Sequence, residues 1–144
     1  MERLQFLQIP LRLFLINTIK NYVNGEKFMA QYEDITIDQG ADVAVEIHLI
    51  NKDGSAKSLV NHAVAAKMKR TYTSDSADTL TFNCIVANPA TSGVATISLT
   101  NTQTGTLKSG QYVYDVEISF QDSSSTIVER VLEGKILVTP SVTR

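Results

Sequence analysis

The chain has 144 residues, 43% of them apolar and 19% charged, with a formal net charge of −2. That length suits one globular core and falls short of two, and the composition excludes a disordered chain. A balance of 13 basic against 15 acidic residues leaves no nucleic-acid footprint in the total charge. The single cysteine, Cys84, excludes an internal disulfide framework and a cysteine-built zinc site.

Two different textures meet at Met29. Residues 1–28 carry a net +2 and the remainder −4, and 17 of the first 28 are Leu, Ile, Phe, Asn, Lys or Tyr. A secretory signal is excluded because Gln5, Gln8, Pro10 and Arg12 break the apolar run and no small-residue cleavage site follows. The same polar residues exclude a membrane span. Leu11, Leu15, Ile19 and Tyr22 or Val23 share a stripe that admits an amphipathic helix over Leu11–Val23. The composition also fits translated upstream sequence, with the native start at Met29. The expected organisation is an N-terminal extension, 1–28, followed by one domain, 29–144.

From Tyr32 onward the period is two. Ile35 and Ile37 mark a first strand and Gln39-Gly40-Ala41 a turn. Val43, Val45, Ile47 and Leu49 alternate with polar residues in a second strand, which Asn51–Ser55 turns back. Val64, Ala66, Met68, Arg70 and Tyr72 form a third, with Lys67 and Lys69 on its solvated face. Leu80, Phe82, Cys84 and Val86 line one face of a fourth, stopped at Asn88-Pro89, and Val94–Leu99 is a fifth. Thr102–Lys108 suits a single helical turn. The clearest alternation is Tyr112, Tyr114, Val116, Ile118 and Phe120, which returns through Asp122–Ser125 into Ile127–Val138. About seven short strands predict an all-β, Ig-like antiparallel β-sandwich, without the disulfide and tryptophan of antibody domains.

Residues able to carry chemistry are sparse. His48 and His62 lack sequence-near carboxylates at metal spacing. Cys84 sits in an apolar strand, as a packed thiol does. Asp34, Asp38 and Asp42 read as a solvated rim rather than a calcium cage. No P-loop, dinucleotide fingerprint or nucleophile elbow is present. The expectation is no catalytic residue, no metal and no cofactor. Lys67, Lys69 and Arg70, with Tyr72 beside them, form a short basic patch suited to an acidic protein surface. Glu117 faces Arg130 if the last hairpin closes at Asp122–Ser125, a register device. Glu133 and Arg144 are left for a partner.

The segment Gly110-Gln111-Tyr112-Val113-Tyr114-Asp115-Val116-Glu117-Ile118, the run Glu129-Arg130-Val131-Leu132-Glu133-Gly134 and the ending Thr139-Pro140-Ser141-Val142-Thr143-Arg144 resemble a family of small tailed-bacteriophage proteins. Ile37-Asp38-Gln39-Gly40-Ala41-Asp42 fits the family's start, and Leu59, Ala66, Met68, Lys69, Tyr72 and Ser74 fit its middle. Asn61 stands where the family has glycine, a substitution a left-handed turn tolerates. The resemblance covers residues 32–144 and is similar to upper-baseplate Ig-like modules. It implies a non-enzymatic virion protein of tail, baseplate or neck, present in several copies. Such a part is made in the host cytoplasm and contacts other phage structural proteins, with no nucleic acid, membrane or small-molecule ligand. In such an assembly part, the Thr139–Arg144 ending suggests a docked tail, removable without loss of fold. The alternative is a carbohydrate-binding or host-adhesion sandwich, with Tyr32 and Tyr72 as the sugar platforms.

Overall fold

The computed structural model describes residues 4–11, 31–51, 55–75 and 79–143; for 4–11 and Gln31 this is the backbone. Among them are strands β1 Leu4–Leu11, β2 Gln31–Tyr32, β3 Ile35–Asp38, β4 Asp42–Leu49, β5 Ala63–Lys69, β6 Thr79–Thr81, β7 Asn83–Val86, β8 Val94–Leu99, β9 Gly110–Asp122 and β10 Ser125–Thr139. One short helix, α1 Asn101–Gly105, precedes β9. The strands make an all-β sandwich. One sheet runs β1-β4-β8-β7; the other runs β2-β10-β9-β5-β6, with β3 also on β10.

The alternation dictates this. In a strand every second side chain faces one side, so Val43, Val45, Ile47 and Leu49 of β4 all point inward. They meet Met68, Val116, Ile118, Leu132 and Ile136 from the other sheet in one continuous core. Burying each large aliphatic chain contributes about 1.5–3 kcal/mol before entropy is counted.

Three features depart from the sequence reading. The fourth strand is two: Thr79–Thr81 pairs with β5 in one sheet and Asn83–Val86 with β8 in the other. The chain changes sheets at Phe82, whose buried ring sits in the core and whose N–H still donates to Ala66 O (3.0 Å). Backbone pairing also brings Leu4–Leu11 to the sandwich, parallel to β4 from Leu4 opposite Asp42 to Leu11 opposite Leu49. The helix expected over Leu11–Val23 lies, beyond Leu11, outside the described residues, as does the proposed start at Met29. Third, β10 bulges between Arg130 and Leu132.

The turn at Gln39-Gly40-Ala41 ties the segment before β9 and the chain after β10 to the start of the domain. Gly40 takes φ 79°, a conformation that suits glycine. Gln39 Nε2 donates to Leu107 O (2.7 Å), and Ser141 N donates to Gln39 Oε1 (3.2 Å). α1 is stitched to the same turn. Its Asn101 N–H donates to Asp42 Oδ1 (2.6 Å), and the buried Thr104 hydroxyl donates to Ala41 O (2.8 Å). Thr100 and Gln103 close a capping box at its start. Asn61 adopts φ 61°, the left-handed turn expected of it.

The tail is corrected by this packing. Thr139 belongs to β10, paired with Asp38 and bonded to its Oδ1 (2.8 Å), and Ser141 is held by Gln39. Cutting at Thr139 therefore removes part of the sandwich, whereas Val142 is fully exposed.

Candidate interaction face

The outer face of the larger sheet collects most of the residues singled out by sequence. Cross-strand pairing arranges them in rows. The longest row crosses five strands: Tyr32, Glu133, Asp115, Lys67, Thr81. The next places Lys135, Val113, Lys69 and Thr79 side by side, and on the other flank Arg130, Glu117 and Ala65 are opposite one another. Residues directly opposite in a ladder lie on one face and interact, so β5 presents two lysines beside two acids of β9.

The bulge makes this face. Before it, even-numbered Val128 and Arg130 point outward; after it, odd-numbered Glu133, Lys135 and Leu137 do, because Val131 and Leu132 are buried in succession. One extra residue shifts the phase of a strand. Without it Glu133 would project into the core.

Arg130 binds the rows together. Its Nε lies 3.3 Å from Asp115 Oδ2 and its Nη1 3.5 Å from Glu133 Oε2. The expected register with Glu117 holds, since the two residues are paired, but the guanidinium reaches Asp115 and Glu133 instead. A groove of about 500 Å³ runs along the face, with Lys67, Lys69, Asp115, Glu117, Arg130 and Glu133 among its walls and Tyr72, 77% exposed, at its edge. Tyr32, also exposed, feels both Tyr72 and Glu133. Loss of water, then the Asp34 carboxylate, with smaller contributions from those two, raises its phenol above the ordinary value.

The basic patch of the sequence is divided. Lys67, Lys69 and Tyr72 share the groove with Glu133. Arg70 turns to the end of the sheet and lies over the Tyr112 ring (4.8 Å to its centroid). Arg144 lies outside the described residues. What sequence reasoning missed is Arg130 as the hub and Tyr32 as the end of the long row. The bulge carries no residue signature, and β2 is only two residues long.

Elsewhere the reactive groups are occupied. Asp34 accepts from Lys135 N, Asp38 from Thr139 Oγ1 and Asp42 from Asn101, so the three acids serve three separate bonds. Among the described residues, no three His, Cys, Asp or Glu side chains are grouped to hold a metal. His48 contacts Glu46 (2.5 Å) and His62 stacks on Phe120 (4.9 Å between centroids). Burial raises the Cys84 thiol, the reverse of activation. No helix among the described residues is long and apolar enough to cross a membrane.

No family model matches the chain, and no curated protein does. Solved structures do. The N-terminal domain of phage TP901-1 ORF48 superposes with a TM-score of 0.52 at 8% identity, covering 94% of this chain and 97% of that one. The cysteine protease inhibitor EhICP2 from Entamoeba histolytica gives 0.47 at 8% identity over 96% and 100%. AggA, the major subunit of an Escherichia coli aggregative adherence fimbria, gives 0.31 at 12% identity over 75% and 89%. At these identities the likeness is one of fold, and the fold is one that a phage domain shares.

Proposed function

We propose that this chain is a non-enzymatic structural component of a tailed-phage virion, at the tail, baseplate or neck, and that it works through protein contacts. The observation that carries the reading is the near-complete mutual coverage with the phage TP901-1 ORF48 N-terminal domain, 94% of one chain and 97% of the other. The two-sheet architecture with its antiparallel ladders supports the Ig-like label within that reading. The outer face of the larger sheet is the docking surface. It alternates lysines and acids in fixed rows, an arrangement suited to choosing a partner and a register more than to raw affinity. Its partners are other phage structural proteins, and its place is the virion.

Mass spectrometry of purified virions tests this. Peptides from residues 30–144 at several copies per particle are the expected result. Absence from intact particles would overturn the reading and turn it toward an assembly chaperone or an intracellular binding protein.

The second reading, a saccharide-binding module, draws on one observation: Tyr32 and Tyr72, both exposed, are close enough to influence each other beside the Glu133 carboxylate. A glycan array separates the two, because a purely structural part leaves every glycan unbound.

A further inference from the structure

A second pocket, of about 450 Å³, opens between the ends of β5 and β6 and the segment leading from α1 into β9. Met68, Leu80, Leu107 and Tyr112 give it an apolar floor, and Arg70 and Lys108 stand at its rim. Among the described residues no carboxylate lines it, and none pairs with either cation. This is unlike the outer face, where the charges already answer one another.

Arg70 is held ready. Its guanidinium carbon lies 4.8 Å from the centre of the Tyr112 ring, a cation–π placement. The ring is fixed in turn by its hydroxyl, which donates to Lys108 O (2.8 Å). Arg70 Nη1 makes a long 3.5 Å contact with Ser109 O. Gly110 leaves the space: at φ +127°, a Cβ there would stand 2.9 Å from both terminal nitrogens of Arg70. A side chain fixed before its ligand arrives loses less entropy on binding. The nearby hydroxyls already donate elsewhere, Thr79 to Asp75 O and Thr106 to Gln103 O, so recognition of charge falls to Arg70 and Lys108.

We propose that this pocket binds an acidic, aliphatic segment of a partner protein, an apolar side chain seated on the floor and the neighbouring carboxylate on Arg70 and Lys108. Guanidinium recognises carboxylate with paired, charge-assisted hydrogen bonds. A bare inorganic anion would leave the apolar floor uncovered, while a neutral aliphatic peptide would leave two cations unanswered; a peptide carrying both groups meets both. The inference rests on the protein-binding reading above and names the chemistry of one contact.

The test is a chemical-shift titration of the isotope-labelled full chain with the blocked peptide acetyl-Leu-Asp-Leu-Asp-amide, beside its neutral analogue acetyl-Leu-Asn-Leu-Asn-amide. The expected result is a saturable response at Arg70, Leu107, Lys108 and Tyr112 for the acidic peptide only, weakened by added salt. Arg70→Gln should weaken it about tenfold. Lys108→Gln, at a separate exposed position, should weaken it as well and keeps the test informative if the first variant does not fold. An equal response to the neutral peptide, or none in this cluster, overturns the proposal. Peptide binding by a chain absent from virions would overturn the virion role alone; incorporation without peptide binding would overturn the pocket alone.

Discussion

The Tyr114 hydroxyl donates to the Glu33 carbonyl at 2.6 Å, joining the middle of β9 to the break between β2 and β3. Gly134, directly opposite Tyr114 on β10, makes room for that carbonyl, since a Cβ at Gly134 would lie 2.0 Å from Glu33 O. Burial, with the nearby Glu33 and Asp34 charges, drives the Tyr114 phenol far above its ordinary value, which keeps the hydroxyl protonated as the donor.

Removing the hydroxyl should cost little and crowding its acceptor more. Tyr114→Phe loses one neutral hydrogen bond, the one to the Glu33 carbonyl, a loss of about 1 kcal/mol. Gly134→Ala forces the β2–β3 connection outward and should cost about 1–3 kcal/mol. Urea unfolding of both variants checks this. Equal stabilities for Gly134→Ala and the parent would mean the close approach is not rigid.

How much of this was legible depends on what alternation can carry. Period two reveals strands and their inward residues, and Tyr112, Tyr114, Val116 and Ile118 are buried as their spacing requires. It does not say which sheet a strand joins. Leu80, Phe82, Cys84 and Val86 keep a single phase through Phe82, so the change of sheet there leaves no mark in the pattern. The bulge at Val131 does break the phase, but it shows only as two adjacent apolar residues, Val131 and Leu132, between Arg130 and Glu133, too short a mark to reveal a shift of register. Lys67, Lys69 and Tyr72 were recognisable as one patch because they are polar residues close together in the chain, whereas Glu133, named apart from them, joins them only through the cross-strand pairing. Arg70 separated from them because its fate is set by Gly110 and Tyr112, forty positions on.

Glu129 supplies a pH dependence. It is 8% exposed on the inward side of β10, and its Oε2 has no hydrogen-bond partner among the described residues. Burial raises its carboxyl above the ordinary 4.5, and the charges of Lys57 and His62 only partly oppose this. A carboxyl raised in the folded state is more protonated there than in the unfolded chain. Its contribution is therefore fully present below the unfolded value and is lost as pH climbs through the folded one. Glu129→Gln should flatten that decline, gaining stability on the parent as pH moves from acid to neutral. Parallel stability-against-pH curves for the two proteins would refute it.

Arg130 is the hub of the outer face, yet its removal should hardly disturb folding. Its two ion pairs are solvent-exposed at 3.3 and 3.5 Å, and such pairs are worth about 0–1 kcal/mol. Arg130→Ala should shift the urea midpoint slightly, and less in high salt. The larger effect belongs to docking, where leaving Asp115 and Glu133 unanswered beside Lys67 changes the pattern a partner reads. Reduced incorporation into virions with near-parental stability is the expected combination. A large loss of stability instead would make Arg130 a folding residue.

The tail divides at Ser141. Thr139 pairs with Asp38 and Ser141 is held by Gln39, so these residues belong to the fold. Val142 is fully exposed, an apolar side chain whose burial by a neighbour would be favourable. A chain ending at Ser141 should keep its parental melting temperature, because Val142 and Thr143 are both exposed, and should enter particles poorly if the tail docks there. A chain ending at Val138 should melt lower, having lost the Thr139–Asp38 bond and the anchor on Gln39. Co-infection with tagged versions of both, followed by thermal unfolding and quantification in purified particles, distinguishes the two roles. Full incorporation of the chain ending at Ser141 would leave the sheet face, not the tail, as the means of attachment.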